Sequence, residues 1–148
     1  MKKQYVDPVY AKSKEYKKVI VNIQGKDHCP FCRANFSYHK KKILHEVRGW
    51  IATHNSWPYS DTKHHFIILN LDKHIEDISD LDGEDIITVQ ALAAWLVKKY
   101  KIKGGALLAR FGETRYTGAT VTHLHFHLIQ PELDPKTKRA KVVAFPVG

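Results

Sequence analysis

Three histidines alternate with apolar residues in His123-Leu124-His125-Phe126-His127. On a strand, side chains two residues apart share a face, at roughly 6–7 Å from one another. The pattern predicts a strand over 121–130, ended by Pro131, with three imidazoles stacked on one face. Leu124, Phe126 and Leu128 would then enter the core from the other. Neutral imidazole can attack as a nucleophile, accept a proton, hold phosphate oxygens or ligate a metal. Burying three of them is costly unless such a partner satisfies their nitrogens.

A second cluster is Cys29-Pro30-Phe31-Cys32. Two thiolates at this spacing suit tetrahedral zinc, with two distant histidines completing the shell. They also suit a redox dithiol, and two inert buried thiols are the plain alternative. The chain has ten histidines, enough to supply the missing ligands.

These residues need elements to position them. Val19-Ile20-Val21 reads as a short strand or packed arm in an otherwise polar, basic segment 1–25. Residues 43–54 are strand-like, and Pro58 ends that pattern because it has no N–H for a ladder. His65-Phe66-Ile67-Ile68-Leu69 predicts a strand, and 75–81 a short helical turn. Asp82 caps a helix over 84–101: Ile86, Val89, Leu92, Ala93, Leu96 and Val97 recur at helical spacing, with acids first and lysines last. Gly104-Gly105 stops it. Residues 106–111 form a strand, 112–118 a loop, 132–141 a charged turn-rich stretch and 142–145 a last short strand. Strands, one long helix and strands again make an α+β protein, without the repetition of a doubly wound sheet.

At 148 residues, with 43% hydrophobic and 26% charged, the chain is expected to form one domain over 1–148. Residues 1–25 would be its basic arm and 132–148 its C-terminal extension. No apolar run approaches the ~18 residues of a membrane span, and the N-terminus lacks the apolar core of a signal peptide. A soluble, cytoplasmic protein is the expectation. The net charge is +9, and it is uneven. Residues 72–85 hold seven acids against Lys73, whereas 1–20 hold six lysines against Asp7 and Glu15. A basic chain favours anionic partners; no arginine-rich or aromatic-interleaved stripe makes nucleic acid a specific one. Neither a GxGxxG nor a GxxxxGK motif is present.

Together these segments resemble the histidine triad (HIT) superfamily of nucleotide hydrolases and transferases. His123 to Ile129 matches its hallmark of three histidines alternating with apolar residues. Asn55-Ser56-Trp57-Pro58-Tyr59, followed by His65-Phe66-Ile67-Ile68, is similar to the family's segment that opens onto the nucleotide. Lys73-His74 falls at a family turn, and the cysteines fall where a zinc-bearing Cys-x-x-Cys branch has its pair. The resemblance spans roughly residues 28–131.

The resemblance implies a fold: an antiparallel sheet of about five strands with one long helix and short helices. It implies a chemistry: His125 attacks the α-phosphorus of a nucleoside phosphoester, phosphoramidate or dinucleoside polyphosphate and forms a nucleotidyl-histidine. The backbone carbonyl of His123 would orient His125, His127 and His65 would hold phosphate oxygens, and the Thr120 hydroxyl would reach the leaving group. Asn55 and Trp57 would bind the nucleotide. Where many members carry an Asn and a Gly-Gln-Ser run, this chain has Arg110 to Thr120 with Ala119, so Arg110 or Arg115 would contact phosphate. The zinc branch implies a structural Zn²⁺ on Cys29, Cys32, His74 and His123. It also implies a homodimer joined through the long helix and an adjacent strand. A nucleotide-binding regulatory module, or a nucleic-acid-associated protein with low turnover, are the alternatives.

Overall fold

The computed structural model describes residues 3–148. Five antiparallel strands form one sheet: β1 (Ile43–Val47), β2 (Trp50–His54), β3 (Thr62–Asn70), β4 (Ala106–Arg110) and β5 (His125–Pro131), in the order β1-β2-β3-β5-β4. Three helices accompany it, α1 (Lys14–Ile23), α2 (Gly83–Lys99) and the single turn α3 (Thr114–Thr117). The expected α+β class and five-stranded antiparallel sheet are borne out.

The stretch 43–54 is two strands rather than one. Arg48 and Gly49 both have positive φ, 50° and 79°, the two-residue hairpin geometry whose twist matches that of the strands. A Cβ on Gly49 would stand 2.6 Å from Asp72 Oδ2 on a backbone of positive φ, so any other residue would be strained and would have to displace that carboxylate.

Helix α2 begins at a reciprocal cap. Asp82 Oδ1 accepts the N–H of Asp85 at 2.8 Å, and Asp85 Oδ2 accepts that of Asp82 at 3.2 Å. Asp85 Oδ1 also accepts from the Trp50 indole at 2.9 Å and from Lys73 at 3.0 Å. Val89, Leu92 and Leu96 are buried against Trp50, Phe66, Leu124 and Leu128. Burying each such side chain contributes about 1.5–3 kcal/mol. This layer clamps the sheet from one side.

The other face carries the chemistry. Residues opposite each other in an antiparallel pair share a face. His127 lies opposite Ile67 and His125 opposite Leu69, while Phe126 lies opposite Ile68. The phenylalanine therefore goes to the α2 side, and the two histidines go to the side covered by α1 and the cysteine segment. Arg110 pairs with His125 in the next strand and projects onto that same face.

Three sequence expectations are corrected. Val19-Ile20-Val21 lies inside α1, not in a strand. Three consecutive β-branched residues favour a strand locally, but Ser13 caps a helix by accepting the Tyr16 N–H at 3.1 Å. Tyr16, Val19, Ile20 and Ile23 then line one helical face over Cys29 and Val121. The predicted strand 121–130 begins only at His125. Before it, the Leu124 N–H donates to Ile75 O at 2.6 Å, and Val121 makes an isolated bridge with Val6. The backbone here is tied to the β3–α2 turn and the N-terminus, so His123 does not join the histidine row. Finally, 142–145 makes no strand; Leu133 and Ala140 form a single bridge instead. More finely, α2 closes at Lys99 rather than 101, and 112–118 contains the turn α3.

Candidate active site and metal centre

His125 and His127 protrude from β5 with ring centroids 4.8 Å apart. His125 Nδ1–H donates to the backbone oxygen of His123 at 2.7 Å. That bond leaves the Nε2 lone pair free, the form an attacking imidazole needs. Burial pushes His125 down to about 4, against the pull of the His123 carbonyl and with Arg110 adding to the effect. The ring is neutral at pH 7.

A second chain of contacts sets His127. The Tyr59 N–H donates to His65 Nδ1 at 3.1 Å, so His65 carries its proton on Nε2. That proton is donated to His127 Nδ1 at 2.8 Å. His127 must therefore carry its own proton on Nε2, and this buried atom has no partner among the described residues. Burial first, then His125, His65 and Arg110, hold His127 well below 6.5. One neutral ring thus offers a lone pair beside another that offers an unused N–H. Asn55 Oδ1 accepts the Trp57 N–H at 2.8 Å, which leaves Nδ2 3.0 Å from the protonated His65 Nε2; two donors cannot bond, so the amide hydrogens of Asn55 stay free for a ligand in the cleft.

Arg110 brings positive charge to the same place. Its guanidinium donates to Tyr59 Oη at 3.0 Å and to the backbone oxygens of Pro146 and Gly118 at 3.2 and 3.4 Å. It lies 5.0 Å over the Phe145 ring, and its buried Nε has no partner. No carboxylate among the described residues compensates this cation. Arg110, His125, His127, Thr120, Asn55 and Trp57 all line one cleft. A cleft of orphaned donors around one free imidazole lone pair is suited to a phosphoryl group under attack.

Nothing in the sequence pattern marks Tyr16, and the resemblance places Tyr59 on the nucleotide-facing segment without a role of its own. The Tyr16 hydroxyl lies 2.6 Å from Thr120 Oγ1, and its ring stacks on Trp57 at 5.4 Å. Only the helical assignment of α1 could have brought Tyr16 to the cleft, and the β-branched run hid it. Two named residues do not line the cleft: His65, expected to hold phosphate oxygens, is buried behind His127 with both ring nitrogens engaged, and Arg115 stands outside. It is exposed, paired with Glu113 and laid over Tyr116, because α3 turns it to solvent.

The four residues of the second cluster come together across long sequence separations. Cys29 Sγ lies 3.3 Å from His123 Nδ1, Cys32 Sγ 3.5 Å from His74 Nδ1 and 3.8 Å from His123 Nδ1. All four ligand atoms fall within 4.8 Å of one another. Tetrahedral zinc with ordinary bond lengths needs neighbouring ligands about 3.3–3.8 Å apart. Both imidazoles also turn the correct nitrogen inward. His123 Nε2–H donates to Asn70 O at 2.7 Å, and His74 Nε2–H to Glu76 Oε1 at 2.7 Å. Each Nδ1 lone pair is left facing the thiols, the outer-shell arrangement that metal-binding histidines use. The set could coordinate a metal, and its donors fit zinc. It joins the cysteine segment to the residue whose carbonyl orients His125.

Burial of neutral imidazoles has a measurable consequence. His39 accepts from Ser56 at 3.2 Å through Nδ1 and donates to Thr53 Oγ1 at 3.0 Å through Nε2. Burial pushes both His39 and His65 from 6.5 down to about 4. Between those values the unfolded chain binds more protons than the folded one, so stability falls as pH drops from 6.5 to about 4. Urea midpoints should be flat in this respect above pH 7 and should decline through that window. The decline should shrink in His39→Gln, and an unchanged slope would assign it to carboxylates.

The protein-family model described as "Scavenger mRNA decapping enzyme C-term binding" matches residues 28–142. Among solved structures, the chain is similar to a HIT family hydrolase from Clostridium thermocellum, with 25% identity and a TM-score of 0.58, covering 73% of this chain and 93% of that one. A histidine triad nucleotide-binding protein from Candida albicans has 20% identity and a TM-score of 0.60, covering 82% and 85%. A Zn-bound histidine triad family protein from Mycobacterium smegmatis has 17% identity and a TM-score of 0.56, covering 78% and 82%. No curated protein matches the chain.

Proposed function

The chain belongs to the family described as "Scavenger mRNA decapping enzyme C-term binding", and on that premise we propose that it is a nucleotide hydrolase or transferase acting at an α-phosphate. The substrate is a nucleoside phosphoester, phosphoramidate or dinucleoside polyphosphate. The observation that carries this reading is the tautomer pair: His125 Nδ1–H held on the His123 carbonyl at 2.7 Å, beside an orphaned His127 Nε2–H. The similar structures, a HIT family hydrolase and a histidine triad nucleotide-binding protein among them, point the same way.

In this reaction His125 Nε2 attacks the α-phosphorus as the bond to the leaving group breaks. The P–N bond gives a nucleotidyl-histidine. His127 Nε2–H and the Arg110 guanidinium receive the charge growing on the phosphoryl oxygens. Thr120 faces the departing group. Water, or a second phosphate acceptor, then takes the nucleotidyl group from His125, and the imidazole returns to its neutral tautomer.

Steady-state release of nucleoside monophosphate tests the roles. Arg110→Ala is expected to lower kcat/KM by about 10²–10³, the cost of removing one preorganised oxyanion donor. Arg115→Ala should stay within about twofold, since an exposed ion pair is worth little. Equal effects of the two variants would break the assignment of Arg110.

Zn²⁺ is the metal we assign to Cys29, Cys32, His74 and His123. A bound zinc would supply a rigid cross-link rather than chemistry at the phosphate. The two free thiols suit a reducing compartment such as the cytoplasm. No described helix is long and apolar enough to cross a membrane.

The reading includes a homodimer. Ile86 and Ile87 of α2 are 49% and 64% exposed, and Leu107 on the edge strand β4 is 43% exposed. A second copy laid against helix and edge would cover these side chains. Sedimentation velocity should give a dimer mass for the native chain and a monomer for Ile87→Glu with Leu107→Lys; a native monomer would remove the dimer from this account.

A further inference from the structure

Two cavities open from the catalytic cleft on different sides. One lies under α1 and is walled by Ile20, Ile23, Phe31, Tyr38, Trp57 and Ile67. Its apolar and aromatic lining suits the planar base of the nucleotide that stays on His125. The other runs outward between the N-terminal segment and the C-terminal extension, past Lys12, Ser13, Tyr59, Ser60, Val142 and Pro146. It shares Lys12, Tyr16, Trp57 and Tyr59 with the catalytic cleft. With the base in the first cavity, the leaving group goes to the second.

The charge at that junction is unbalanced. Lys12 and Arg110 both line the catalytic cleft. Lys12 has no carboxylate partner among the described residues, and Arg110 spends its bonds on a phenol and two backbone carbonyls. The acids nearby are occupied: Asp61 pairs with Lys141 at 3.1 Å, and Asp7 accepts from the Val9 N–H and from Thr114. Two cations face one cleft with no anion between them. Arg110 and partial burial both disfavour the charged form of Lys12, burial more strongly. An anion bridging the pair would remove that repulsion. Arg110 stands with His127 at the reacting phosphate, so Lys12 stands one step outward, where a further phosphate of the leaving group would lie.

We propose that Lys12 is a specificity-determining residue that selects leaving groups carrying phosphate of their own over neutral amines. The proposal rests on the functional reading above. It assigns this selectivity to a segment before the family-matched residues 28–142. Lys12 is exposed, so its replacement leaves the fold intact.

The experiment measures binding, so that it is separable from turnover. The native chain, Lys12→Ala and Lys12→Arg are titrated with adenosine monophosphate and with a diadenosine triphosphate whose bridging oxygens are replaced by methylenes. Lys12→Ala is expected to weaken the dinucleotide about tenfold and the monophosphate less than twofold, with Lys12→Arg restoring the dinucleotide. Equal loss of both ligands, or no change for the dinucleotide, overturns the proposal. Hydrolysis of ordinary diadenosine triphosphate by the native chain is scored separately: its absence would count against the enzymatic reading while leaving the binding result to judge Lys12.

Discussion

Replacing His125 by alanine is expected to abolish nucleotidyl transfer, lowering kcat/KM by roughly 10⁴-fold or more, since loss of a nucleophile removes the covalent route altogether. The melting temperature should move little, because the His125 ring makes one hydrogen bond, to a backbone oxygen at 2.7 Å, lines the cleft and packs against the Phe31 and His127 rings. Nucleotide binding should persist through Asn55, Arg110 and the apolar cavity under α1. His127→Ala should behave differently. It removes a donor rather than the attacking atom, so a loss nearer 10²–10³ is expected. A His125→Ala protein that turned over at even a hundredth of the native rate would locate the nucleophile elsewhere.

The second large effect concerns the metal centre. Native protein is expected to carry zinc, released on thiol modification and measured by a colorimetric chelator. Cys29→Ser should lose it. Burial pushes the unligated Cys29 thiol up to about 12, so without a bound cation this sulfur stays protonated. A structural zinc contributes several kcal/mol of folding free energy or more, and a chain of this size loses a few degrees per kcal/mol. A fall of roughly 10 °C or more in melting temperature follows for Cys29→Ser and for strong chelation. Activity should fall with it, because His123 is at once a ligand and the owner of the carbonyl that fixes the His125 tautomer. Metal-free protein with native thermal stability would contradict this, and a Cys29–Cys32 disulfide in its place would favour redox chemistry.

Much of the site was readable because strand periodicity is short-range. Alternation alone put His125 and His127 on one face and Phe126 and Leu128 on the other. The strong caps and charge gradient of α2 likewise needed only local sequence. The errors arose where tertiary contacts override local preference. Val19-Ile20-Val21 belongs to a helix because Ile20 and Ile23 find a buried surface at Cys29 and Val121, about a hundred residues apart from one another in sequence. His123 left the predicted strand because its nitrogens are claimed by Asn70 O and the thiols. Arg110 and Arg115 could not be told apart from sequence: both are basic residues flanking one loop, and only the strand register with His125 separates them. Tyr16 reaches the cleft only once α1 is a helix, and Lys12 enters it from the segment just before the Ser13 cap.

The most direct measurement of the central claim is intact-mass spectrometry of zinc-loaded protein, rapidly quenched after mixing with a panel of adenine and guanine nucleotide substrates. The account predicts an acid-labile nucleoside-monophosphate adduct that maps to the peptide holding His125 and is missing in His125→Ala. Turnover with no adduct at any quench time, or an adduct that survives in His125→Ala, would contradict it.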